Sequence, residues 1–93
     1  MKNSGWRNAV NVVRLIRMTA RPIKHSLTLH GHRTSVSLEE AFWDAFREIA
    51  AEREIPLNQL AAQIDTARSG DEGLASAIRV FVLRHTKAAT DAR

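Results

Sequence analysis

Ninety-three residues, a formal net charge of +4 and no cysteine point to one small domain and exclude disulfides and thiolate metal centres. No apolar run approaches the roughly 20 residues needed to cross a bilayer, so no membrane partner is expected, and the absence of cysteine fits a reducing, cytoplasmic setting. Residues 1–38 hold seven Lys/Arg and no Asp or Glu, whereas residues 39–93 hold seven Lys/Arg against ten Asp/Glu. An acid-free basic front half suits a polyanion, because each cation set against a phosphate releases condensed counterions. A solvated basic arm is the other reading of the same composition.

Residues 1–20 form a basic N-terminal extension. Trp6, Ala9, Val10, Val13 and Ile16 recur at roughly helical spacing, with Arg7, Arg14 and Arg17 between them. That fits either a short basic amphipathic helix or a disordered segment. A β zone follows over residues 21–38. Ser26-Leu27-Thr28-Leu29 alternates, with both leucines on one side, and Arg33-Thr34-Ser35-Val36-Ser37-Leu38 alternates again. Period two marks a strand, here with Arg33, Ser35 and Ser37 exposed and Thr34, Val36 and Leu38 turned to a core. Gly31 tolerates positive φ, so the zone reads as a hairpin or as a bent two-part ribbon. His30 and His32 lack a nearby carboxylate in sequence to complete a metal site, and no cofactor or metal is expected.

The first helix is expected over Glu39 to Arg53, started by a capping box in which Ser37 and Glu40 satisfy each other's backbone amides. Leu38, Phe42, Ala45, Phe46, Ile49 and Ala50 make its apolar stripe. Trp43 widens the stripe, as a second packing surface such as a dimer contact would. The carboxylates of its outer face read as a solvated surface. The second helix begins near Pro56, with Leu57, Leu60, Ala61 and Ile64 inward. The third, capped by Asp71 or by the Ser69–Glu72 pair, places Leu74, Ala77, Ile78, Phe81, Val82 and His85 in helical register. Residues 88–93 carry little apolar content and read as a flexible tail. The folded unit spans residues 21–87. So small a core points to one shared within an obligate dimer.

The run from His32 to Glu39, the Phe42-Trp43 pair, Arg47-Glu48-Ile49-Ala50 and the stretch from Leu74 to Val82 resemble the small bacterial ribbon-helix-helix domain family, relatives of the Arc and MetJ repressors. The resemblance implies a mainly α fold with a short N-terminal β-strand and, here, one extra helix. It also implies a homodimer whose strands pair antiparallel between copies and enter the major groove of double-stranded DNA. On that model Arg33, Ser35 and Ser37 face the groove, and Arg21 and Lys24 add sequence-independent attraction. Members of the family hold a DNA phosphate at a helix N-terminus. Asn58, at the start of the second helix, and the segment from Gly73 to Ile78 both qualify, and connection length favours Asn58.

DNA binding with transcriptional control is the leading function. A protein-interaction module, such as an antitoxin or adaptor with a second protein partner, is the alternative. An enzyme is disfavoured, since no Gly-rich phosphate loop, HExxH, GxSxG or cysteine-based motif occurs.

Overall fold

The alternation of residues 22–39 folds as one antiparallel hairpin. The computed structural model describes residues 21–91, so the basic extension over residues 1–20 lies outside the described residues. Strand β1 (Pro22–Leu29) pairs with β2 (His32–Glu39). The two-residue connection has His30 at φ 52° and Gly31 at φ 82°. Two successive positive φ values form the tight turn whose twist matches that of the flanking strands, and glycine occupies the second position without a Cβ penalty.

Pairing sets His25 across from Val36, Leu27 across from Thr34 and Ile23 across from Leu38 on one face. Leu27, Leu29, Val36 and Leu38 of that face are buried. The strand partner of β2 is therefore β1 of the same chain. The resemblance implies pairing between copies, whereas within one chain β2 already pairs along its length with β1.

Three helices cover the apolar face: α1 (Glu40–Arg53), α2 (Leu57–Ala67) and α3 (Leu74–Asp91). Each contributes three buried side chains at helical spacing: Phe46, Ile49 and Ala50; Leu60, Ala61 and Ile64; Ala77, Ile78 and Val82. Phe42, Ala45, Leu57, Leu74 and Phe81 flank them, partly buried. The expected stripes are thus the observed core faces. No polar or charged residue is buried among the described residues.

Helix ends differ from the sequence reading. Glu39 is the N-cap of α1 with no side-chain cap bond, because Ser37 still belongs to the strand and its side chain points to solvent. The α1 C-terminus closes at Glu54, at φ 57°, whose amide donates to the Ala51 carbonyl (3.1 Å), while Ile55 donates to Ala50 (3.1 Å). Pro56 then blocks continuation and caps α2, its carbonyl accepting from Gln59 and Leu60. A turn in which Glu72 donates to Ser69 leads to Gly73, whose carbonyl accepts from Ala77. Helix α3 runs through Asp91, so the expected tail is helical as far as that residue.

Trp43 finds a partner inside the chain. Its indole stacks on the His25 imidazole with centroids 4.0 Å apart and planes 6° from parallel, and it tilts against Phe46 at 6.1 Å. Phe46 itself is fully buried where hairpin and helices meet. Phe46→Ala should lower stability by about 3–5 kcal/mol, through lost transfer energy and a residual cavity. Urea unfolding with an unchanged slope and a large fall in midpoint is the expected result. A loss under about 1 kcal/mol would remove Phe46 from the centre of the core.

Candidate nucleic-acid interface

The outward row of the hairpin follows from its register. Lys24 lies across from Ser37, Ser26 from Ser35, and Thr28 from Arg33, and all six are exposed. The Thr28 amide donates to Asn58 Oδ1 at 3.0 Å instead of across the ladder, and the Ser37 carbonyl accepts from Arg79 Nη2 at 3.3 Å. Groups that point to the outer edges belong to the non-hydrogen-bonded pairs of an antiparallel ladder, whose Cα atoms approach to about 4.5 Å. The six polar side chains consequently form one close-set surface, roughly 13 Å from Lys24 to Thr28 along the strand.

Its electrostatics are one-sided. Lys24 and Arg33 stand near opposite ends on opposite strands. The same outward row ends in Glu39, the first acidic residue of the chain, which would oppose a polyanion. Arg79 answers it with a two-pronged contact, Nε to Oε1 at 2.8 Å and Nη2 to Oε2 at 3.1 Å. These hydrogen bonds hold the Glu39 pKa below its ordinary 4.5, against partial desolvation.

The structure brings Arg33, Ser35, Ser37 and Lys24 onto one face and leaves Arg21 exposed at the entrance to β1. Asn58 stands apart from that row. Its carboxamide oxygen latches the edge of β1. The two helix starts weighed from the sequence flank opposite edges of the ribbon, α2 beside Thr28 through Asn58 and α3 beside Ser37 through Arg79 in its second turn.

Ser26, Thr28 and Arg79 were missed. The first two follow from a turn centred on His30-Gly31, which fixes their partners. Arg79 has no sequence signal, because its contacts lie 40 and 42 residues away. His30 faces Asp65 of α2 at 3.7 Å, and no cluster of three or more metal-ligating side chains forms among the described residues.

A family model described as the ribbon-helix-helix domain, a DNA-binding or regulator-type family in general, matches residues 22–86. The solved structure of an uncharacterized protein from Bordetella pertussis Tohama I is similar, with a TM-score of 0.71 and 28% identity over 90% of this chain and 70% of that one. The chain has no significant match among curated proteins. No helix among the described residues is long and apolar enough to cross a membrane.

Two expectations follow from the geometry. Asn58→Ala should leave the Thr28 amide without its partner, costing about 0.5–1.5 kcal/mol, and should speed hydrogen exchange at that amide selectively. Unchanged exchange there would remove the latch.

The second expectation concerns pH. With the folded-state pKa of Glu39 depressed, its pair with Arg79 stabilises the fold above the ordinary glutamate value and loses that contribution as pH falls through the lower one. Arg79→Ala should therefore reduce stability at about pH 7 more than at about pH 3, as urea midpoints at the two values would register.

Proposed function

We propose that this chain, which belongs to the ribbon-helix-helix domain family, binds double-stranded DNA by laying the outward face of its own hairpin in the major groove, and that it regulates transcription by doing so. The observation that carries the reading is the row Lys24, Ser26, Thr28, Arg33, Ser35 and Ser37, all exposed, with Glu39 at the end of that row paired to Arg79. A two-stranded ribbon fits a groove about 12 Å wide, and each base pair presents a distinct donor and acceptor pattern there.

Arg33 carries the strongest base contact, its fork matching guanine O6 and N7, while Ser35 and Ser37 read adjacent edges. Lys24 and Arg21 meet phosphates. The free amides opening α2, with the Asn58 amide nitrogen, supply a phosphate contact beside the ribbon, and the opening of α3 is its counterpart at the other edge. The family generally binds DNA as dimers and is typically non-enzymatic. In a homodimer a second copy brings a second ribbon, suiting half-sites about one helical turn, roughly 34 Å, apart. The setting of this activity is the cytoplasm.

The test is a gel-shift series with the full chain on DNA from upstream of its own coding sequence. Arg33→Ala should cost about 1–3 kcal/mol of specific binding and relax base preference, with folding unchanged. Replacing Arg21 and Lys24 should weaken all sequences alike and flatten the dependence on salt. If Arg33→Ala leaves discrimination between sites intact, the hairpin face is not the reading surface.

A further inference from the structure

A second surface lies wholly among the helices. A groove of about 450 Å³ runs between the C-terminal parts of α1 and α2 and the middle of α3, and no hairpin residue lines it. Its apolar side is formed by Ile64, Val80 and Phe81. Val80 is 39% exposed, and Leu83 of the same helix, outside the groove, is 56% exposed. Arg53, Arg68 and Arg84 line the same groove. The Arg53 guanidinium lies 5.1 Å from the Phe81 ring centroid. Arg68 is held by Asp65 at 2.7 Å and donates to the Glu72 carbonyl. Arg53 and Arg84 have no carboxylate within 4.0 Å among the described residues.

We propose that this groove docks an acidic peptide segment of a partner protein, with an apolar anchor seated on Phe81 and Val80 and carboxylates meeting Arg53 and Arg84. Charge complementarity selects the occupant. Among the described residues Glu72 is the only acid in the lining. The neighbouring cleft of about 250 Å³, which shares His85, is lined by Glu48 and Glu52 and by no Lys or Arg, so the two sides of α3 are sorted by sign.

This chain's own residues 1–20, with Lys2, Arg7, Arg14 and Arg17 and no acid, carry the wrong charge for the groove. A second copy offering its α1 carboxylates to this groove would make a dimer that Arg84→Glu dissociates, an outcome that light scattering separates from peptide docking. An apolar floor flanked by guanidinium groups fits a helix or strand with one buried anchor and charge-assisted contacts at its rim.

The experiment uses the full chain and a short dye-labelled peptide in which glutamates flank a leucine–phenylalanine pair, followed by fluorescence anisotropy. Matched peptides carry glutamine or lysine in place of glutamate. Saturable binding of the glutamate peptide is expected, with the glutamine peptide at least about tenfold weaker and the lysine peptide inert. Arg84→Glu, at an exposed position, should abolish the preference while melting temperature and gel-shift affinity for DNA stay unchanged. Arg53→Gln should weaken binding less.

The proposal is overturned by any of four results. These are absence of binding by the glutamate peptide, equal binding by the glutamine peptide, a parallel fall of DNA affinity in Arg84→Glu, or light scattering in which that variant dissociates a dimer of the chain. Each leaves the hairpin reading to stand or fall on its own gel-shift series.

Discussion

Register is the constraint on which the rest of the molecule depends. Side chains along a strand alternate, so a slip of one residue would exchange the buried and exposed sets completely. The two-residue turn at His30 and Gly31, with both φ values positive, sets Val36 opposite His25 and Ser35 opposite Ser26. Leu27, Leu29, Val36 and Leu38 then share one buried face, against which the helices pack. The same choice collects Lys24, Ser26, Thr28, Arg33, Ser35 and Ser37 on the other. Core and candidate interface are two results of a single geometric decision.

Charge is organised around that ribbon with comparable economy. Both cations of the outward row are exposed, and Glu39 is drawn aside by an arginine from the far end of the sequence. Asn58 and Arg79 each satisfy a backbone group on an open strand edge, which reduces the unpaired hydrogen-bonding capacity that makes free edges prone to unwanted pairing. They also tie α2 and α3 to opposite sides of the hairpin, so the orientation of both helices is coupled to the surface proposed to read DNA.

Much of this was legible in the sequence, for identifiable reasons. Period two in residues 33–38 and period 3.6 in the helices report which side chains are buried, and Val36, Leu38, Phe46, Ile49, Leu60, Ile78 and Val82 are where those periods place them. The hairpin was one of two readings of the β zone, but the identity of the partner strand was not accessible. Alternation says that a strand needs a neighbour without saying whose. Capping was misread because Ser37-Leu38-Glu39-Glu40 has the residues of a capping box while strand pairing keeps Ser37 extended. Trp43 reads as a second packing surface, and its stack on His25 carries no sequence signal because His25 is polar. Asn58 stands at the helix start where the sequence places it, and its oxygen has a role in the fold that no sequence pattern signals, accepting from the Thr28 amide 30 residues away.

A ribbon completed inside one chain also changes what dilution does. When a surface is assembled from two polypeptides, its population falls as the protein becomes scarce, because folding and association are one equilibrium. Here the two strands that carry the polar row belong to one chain and are joined by a two-residue loop, so bringing them together is a unimolecular step. Closing that hairpin costs the entropy of a two-residue loop only, whatever the pairing of copies adds to it.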